Sequence, residues 1–383
     1  MDAGQLGARV NGWAVCWSLY YLNDFDFMLW RFVMLRFKNG DKSLMMLEMV
    51  GLCGEFPVAL VRKLDGYYDY NRRLVTELVR EGYLKERKFQ GYRRRIVRSL
   101  SLTEKGLSKL RHLNPGSARQ IGRHLLAPAN GQGDWKKTLR LHRNAACLLA
   151  AEKLGAVWRP GKQKEALLGK ELVYYSAYEI RKLFDRDDKG ARLSGVFFCR
   201  WFYYPVYYLG EYNMQFSEEN ELMFRRQLEG TSLGECFIYG ASLLLGESWD
   251  LAENLVQHGI NPRSRLIHTS REHIFHYSVF DPFGLRVMRL AMDSMLRSSF
   301  RHYLYKNGAA DSMYDEYLCS LDCLSLFYVP KNKMPDYRGP ATGYFFDFQM
   351  EAMKMLCNTG AKLLCISSRW LDTFDWEDRW KNE

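Results

Sequence analysis

Arg72, Arg73, Thr76 and Arg80 are the residues best suited to reading a nucleic acid, and their spacing places them together. At 100° per residue over Asp69–Arg80, Leu74, Val75, Leu78 and Val79 share one side of a helix. Arg73, Thr76 and Arg80 fall near the middle of the other side, flanked by Arg72 and Tyr70. An apolar back and an Arg/Thr front suit a major groove, where a guanidinium pairs bidentately with guanine O6 and N7. A second basic group follows. Lys85, Arg87 and Lys88 precede Gln90-Gly91-Tyr92-Arg93-Arg94-Arg95, whose glycine permits a tight turn between two extended runs. A basic hairpin beside such a helix grips phosphates or enters the minor groove, so Arg87, Lys88, Arg93, Arg94 and Arg95 are expected at the DNA.

The charge is local. From Arg62 to Arg143 the chain carries 21 Lys or Arg and 7 Asp or Glu, a net of +14, so the rest is net −3 against a total of +11. A confined basic region is the footprint of a polyanion partner.

Catalytic constellations are weaker. Asp187-Asp188-Lys189 has a carboxylate two residues before a lysine but reads as a loop. Glu218, Glu219 and Glu221 read as favourable charges at a helix start. Asp336 and the pair Glu351 and Lys354 are too dispersed for a magnesium site. His268, Arg271, Tyr303 and Tyr305 resemble a tyrosine-recombinase pattern only faintly. Cys319 with Cys323, and His273 with His276, lack the second pair that a zinc site needs. The chain has no His-x-His and no Gly-x-x-x-x-Gly-Lys-Ser/Thr loop. The expectation is therefore no enzyme, no cofactor and no metal. The aromatic run Trp201–Tyr208 reads as crowded core rather than a base-stacking platform.

The elements that must position the basic groups are legible in outline. Helices are expected at 26–37, 43–52, 57–64, from an Asp69 N-cap to Glu81, and from a Thr103 cap to Leu113. Extended runs are expected at 83–89 and 93–102. The stretch 114–135, with Pro115, Gly116, Pro128, Gly131 and Gly133, reads as a linker, followed by a helix over 137–154. Beyond it, strands at 196–203, 206–209, 236–243, 274–280, 323–329 and 362–366 alternate with helices at 171–184, 217–228, 249–258, 283–297 and 346–357. That alternation predicts a mixed α/β sheet flanked by helices. The expected domains are N-terminal aromatic helices over 1–41, a DNA-binding unit over 42–113, the linker, and a mixed α/β domain over 136–383.

The nine cysteines are scattered, which fits a reducing, cytoplasmic setting. The aromatic stretch 13–37 is interrupted by Asp24, Asp26, Arg31 and Arg36, so no membrane span or targeting segment is expected. Its helices are placed either to form a homodimer interface or to pack inside the monomer.

Gly82-Tyr83-Leu84-Lys85, the basic hairpin, and Leu102-Thr103-Glu104-Lys105-Gly106 together resemble the winged helix-turn-helix of MarR- and PadR-type DNA-binding domains. Arg72-Arg73-Leu74 also resembles the winged helix of replication-relaxation proteins of plasmids and conjugative elements. In that family a larger α/β domain follows, sometimes likened to a restriction-endonuclease-like core. The resemblance implies a sequence-specific binder of double-stranded DNA from a mobile genetic element, acting in replication, relaxation or transfer, or in transcription regulation of those steps. The alternatives are a DNA-processing nuclease with a divergent site, or an adaptor docking a relaxase or replication protein.

Overall fold

The computed structural model describes residues 37, 41–90, 96–122, 126, 135–184, 193–210, 216–249, 251, 267–268, 275–309, 342–347 and 362–376. The expected helix at 26–37 and strand at 323–329 lie outside them, as does most of the helix at 249–258. The chain is a mixed α+β protein.

The N-terminal part begins with α1 (Lys42–Cys53), capped by the Asp41 carboxylate, which accepts from the Ser43 N–H. A two-residue strand β1 (Phe56–Pro57) leads into a 3-10 turn, Val58–Lys63. Pro57 therefore stands before that turn, pairing with Ser99 of a later strand, rather than inside a helix. Helix α2 (Tyr68–Arg80) starts one residue ahead of Asp69, so Asp69 is a first-turn acid and not the cap. Gly82, at φ 74°, ends the helical path. Strands β2 (Leu84–Gln90) and β3 (Ile96–Leu102) pair antiparallel from Leu84↔Leu102 to Gln90↔Ile96. Then α3 (Glu104–Leu113) follows its Thr103 cap.

The stretch read as a linker is helical at its start. Asn114 caps α4 (Pro115–Gln120), with Pro115 in the first turn. Buried Glu48 of α1 accepts from Asn114 Nδ2, Ser117 Oγ (3.1 Å) and Arg159 Nε (2.9 Å), which pins α4 to α1. Helix α5 (Trp135–Lys153) then runs between the N-terminal part and the large sheet.

The expected helix at 171–184 is instead a strand and a short helix. After α6 (Gln163–Leu168), β4 (Val173–Ser176) leads into α7 (Ala177–Arg181), opened by a capping box of Ser176 and Glu179. Next come β5 (Gly195–Cys199), β6 (Phe202–Gly210), β7 (Phe216–Ser217), α8 (Glu218–Glu229), β8 (Ile238–Tyr239), β9 (Ser242–Gly246), β10 (Ile267–His268) and β11 (Phe275–Val279). The sheet order is β11-β9-β6-β5-β4, with β8 also on β6. β4, β5 and β6 are antiparallel neighbours, whereas β6, β9 and β11 run parallel.

Both faces of this sheet are covered, so its strands read as apolar runs. Phe197, Tyr204, Val206, Leu243 and Leu245 join the apolar cluster of α1 and α5. Phe198, Tyr203, Tyr207 and Leu244 join a second cluster with Ile180 of α7 and Phe224 and Leu228 of α8. The first cluster is continuous from Leu44 to Met292, so the units read as separate in sequence share one core.

The expected helix at 283–297 is two helices, α9 (Pro282–Met292) and α10 (Ser294–Lys306). Buried Asp293 breaks it, accepting from the N–H groups of Met295 and Leu296 and from Arg200 Nε at 3.0 Å. Strand β12 (Thr342–Phe346) pairs parallel with β13 (Lys362–Ile366), and α11 (Arg369–Thr373) follows. Phe346 thus ends a strand rather than starting a helix; residues 348–357 lie outside the described set. Among the described residues no helix is long and apolar enough to cross a membrane.

Candidate nucleic-acid interface

Helix α2 is seated by Leu74, Val75 and Leu78, all buried, with Val79 packed partly against the same cluster. Asn71 is buried as well. Its Nδ2 donates to the carbonyls of Leu64 and Asp65, 3.2 Å each, fixing the helix against the end of the 3-10 turn. The opposite face carries Arg72, Thr76 and Arg80, all exposed, with Arg73 half-buried. The Thr76 hydroxyl donates to the Arg72 carbonyl at 2.9 Å. Arg80 pairs with Glu77 and, at 3.5 Å, with Glu81, yet its side chain is 67% exposed. An ion pair so open to solvent is readily exchanged for another anion. Tyr67, Tyr68 and Tyr70 are exposed around the start of the helix.

The two motif steps on either side of the hairpin hold each other. Thr103 Oγ1 lies 2.7 Å from the Gly82 carbonyl and 3.0 Å from that of Tyr83, sharing its proton between them, and accepts from the Gly106 N–H. Lys105 Nζ donates to Glu81 O at 2.6 Å and stands 4.7 Å from the Tyr83 ring centre. A Cβ on Gly106 would lie 2.3 Å from Tyr83 O, so only glycine permits this approach.

The hairpin splits its cations between two faces. Residues directly opposite across the ladder share a face. Lys88 faces Arg98, and both are exposed. Arg98 makes a two-pronged contact with Glu86, at 2.6 and 3.1 Å, and this holds the Glu86 carboxyl below its usual range. Lys85 is exposed too. Arg87 is opposite Ser99, on the inward face at this point, and is buried. Its guanidinium pairs with Glu55, so the expectation that Arg87 holds phosphate is replaced by a structural role. Arg93, Arg94 and Arg95 lie outside the described residues. Arg98 was missed in sequence, although its place opposite Lys88 follows from hairpin register.

Behind the hairpin, Glu55, Arg87, Ser99 and His142 form a buried polar cluster. Ser99 Oγ donates to Glu55 at 2.5 Å and lies 2.8 Å from His142 Nε2. Burial, then the nearby Arg87 charge, pulls the His142 pKa down to about 4. The ring is therefore neutral near pH 7, and its Nε2–H donates to Ser99. His142 belongs to α5, so this cluster joins the hairpin to the helix that carries the large sheet.

Among the described residues the candidate catalytic side chains are not gathered in one place. Glu219 is exposed, while Glu221 is buried and accepts from the hydroxyls of Tyr207 (2.6 Å), Tyr239 (3.4 Å) and Ser242. Tyr303 packs among Phe300, Trp370 and Phe374, its hydroxyl on Thr373, and Tyr305 is exposed. His276 is buried in β11. Asp187, Asp188, Lys189, Arg271, His273, Cys319, Cys323, Asp336, Glu351 and Lys354 lie outside the described residues. In the aromatic run, Tyr203, Tyr204 and Tyr207 are core, whereas Trp201 is exposed under Lys170, 4.2 Å from its ring centre. Cys53, Cys147 and Cys199 are buried, and burial raises the thiols of Cys147 and Cys199 to about 12.

No family model matches the chain, no curated protein matches its sequence, and no solved structure matches it.

Proposed function

We propose that the chain is a sequence-specific binder of double-stranded DNA and that residues 42–113 form a winged helix-turn-helix. In this reading α2 enters the major groove with Arg72, Arg73, Thr76 and Arg80, while Lys88, Arg98 and the arginines 93–95 hold the backbone. The observation that carries it is the exposed Arg72/Thr76/Arg80 face on a helix with a buried back, beside a hairpin exposing Lys85, Lys88 and Arg98. The family resemblance adds a role in replication, relaxation or transfer of a mobile element, or in transcriptional control of those steps. The larger unit, a sheet with helices on both faces, is compatible with the restriction-endonuclease-like core of that resemblance.

The nuclease alternative needs carboxylates and a lysine gathered on the sheet. Central strands β5 and β6 read GVFFC and FYYPVYYLG, without an acid or a lysine, which favours binding over cutting. In the adaptor reading, the same sheet unit docks a relaxase or replication protein.

The deciding experiment recovers fragments bound by the full chain from a random duplex pool. One enriched motif, with affinity falling steeply as salt rises, is the expected result. Recovery of an unenriched pool would remove sequence-specific binding.

A further inference from the structure

A cleft of about 1140 Å³ opens where the 3-10 turn, the end of α5 and the start of α9 meet. Its cations are Arg62 and Lys63 from the turn, Lys153 from α5, and Arg286 and Arg289 from α9. Asp65 and Asp281 also line it, leaving the walls net positive by three charges. The cleft lies past the carboxyl end of β11, since Phe280 and Asp281 directly follow that strand. Ligands of open sheets with parallel strands bind at this end.

Trp376 is a half-buried ring on the cleft wall, whereas Phe280 is buried beneath Lys63. Lys63 Nζ is 4.2 Å from the Phe280 ring centre and also bonds Phe280 O (2.9 Å) and Glu247 (2.8 Å). Trp376 is held in place by its Nε1–H donating to Leu371 O at 2.9 Å and by an edge-on contact with Phe374. Lys153 pairs with Asp65 and Arg286 with Asp372, but both acids are more than half exposed. Exposed pairs of this kind contribute little, so a multiply charged anion can displace the acids. Among the described residues Arg62 makes no ion pair.

We infer that this cleft binds a nucleoside polyphosphate, its phosphates on Arg62, Lys63, Lys153 and the α9 arginines and its flat base against Trp376. Charge alone would suit any polyanion. The Trp376 wall selects an anion that carries a ring, and the volume holds a ligand of nucleotide size. The site goes beyond the DNA-binding reading, and its assay contains no DNA, so the two stand or fall separately.

The test is calorimetric titration of the full chain with adenosine, guanosine, cytidine and uridine triphosphates, alongside inorganic tripolyphosphate and the four nucleosides. At least one triphosphate should bind about tenfold or more tighter than either tripolyphosphate or its own nucleoside, because only it engages both the cations and Trp376. The double variant Arg62→Glu/Lys63→Gln should weaken that binding by about tenfold or more through loss of charge-assisted contacts. Arg286→Gln, which removes a half-exposed ion pair, should weaken it severalfold and serves if the double variant does not fold. Exposed Lys164→Gln, on α6 outside the cleft, should bind as the unaltered chain does. No binding by any triphosphate, tripolyphosphate binding as tightly as the best of them, or undiminished affinity in a folded cleft variant would overturn the inference.

Discussion

Arg87 on β2 and Glu55, the residue before β1, form an ion pair in which each side chain is only 7% exposed. In a run of cations, one has been turned inward. The period of a strand puts Arg87 on the face of Ser99, which α5 meets through His142. Removing one partner leaves the other charge buried and unpaired. Arg87→Ala should therefore cost about 3–5 kcal/mol of stability. The combination Glu55→Leu/Arg87→Met should recover most of that loss, because paired apolar replacement removes both desolvation costs. Urea denaturation of the single and double variants measures both. Equal stability of Arg87→Ala and the native chain would show the pair to be idle.

His142 makes this cluster sensitive to acid. Its folded pKa, about 4, lies below the ordinary histidine value, so the native state resists taking a proton that the unfolded chain accepts. Stability is therefore full above about pH 6.5 and falls as pH drops towards 4. Between pH 7 and pH 5 the loss from this group should be about 2 kcal/mol. His142→Gln, which retains a donor for Ser99, should flatten that part of the profile. Denaturation midpoints at several pH values, with and without the substitution, supply the comparison; superimposable profiles would count against the assignment.

The contrast between Arg87 and its neighbours shows where sequence reading stops. Local signals carried far: the Leu74/Leu78 stripe seats α2, Thr103 caps α3, and residues 362–366 form β13. Those features depend on residues a few positions apart. Arg87 has an exposed-looking composition around it, and only its long-range partner Glu55 decides its fate. Glu221 is similar, because its hydroxyl partners lie on β6, β8 and β9. The split of the expected helix at 171–184 has a local cause. Val173-Tyr174-Tyr175 favours a strand, and Ser176 with Glu179 is a capping box, so the break between β4 and α7 was written in the chain.

The hairpin's two faces separate the proposed DNA contacts experimentally. Each phosphate contact adds close to one unit to the salt dependence of binding. Lys88→Ala should reduce the slope by about one, and Arg93, Arg94 and Arg95 all to Ala by up to about three. A destabilised but folded Arg87→Met should leave the slope unchanged. Arg73→Ala should cost about 1–3 kcal/mol of affinity and relax preference at one base position. Affinity measured over a salt series, on the selected sequence and on mutated sites, distinguishes these. Intact sequence preference in Arg73→Ala would misplace α2.

Gly106 tests the lock between the motif steps. A methyl group there would press on the Tyr83 carbonyl, which is backbone and cannot swing aside. Gly106→Ala should cost about 1–3 kcal/mol through overpacking, although alanine is otherwise the better helix former. Gly116→Ala, whose nearest contact is the Asn114 side chain at 3.3 Å, is the milder control. Thermal melting of both ranks them, and a more stable Gly106→Ala would refute the close approach.

Glu221 is the strongest candidate for a purely structural acid in the large unit. It is fully buried at the start of α8 and gathers three hydroxyls from three strands. Burial, followed by the Glu221 charge, raises the phenols of Tyr207 and Tyr239 above their ordinary range. The native state thus keeps protons that the unfolded chain releases near pH 10. Stability from these groups is full below that pH and is lost as pH rises beyond it. Glu221→Gln retains an acceptor and should cost less than Glu221→Leu, which takes an acceptor from three hydroxyls, two of them bonded to each other at 2.8 Å, and should cost about 1–3 kcal/mol. Neither should change DNA affinity in a folded sample, because α8 is on the sheet face away from α5. Ultraviolet titration of tyrosine should show the buried phenols ionising only as the chain unfolds. Ionisation of every phenol near pH 10 with the fold intact would show that the network is open to solvent.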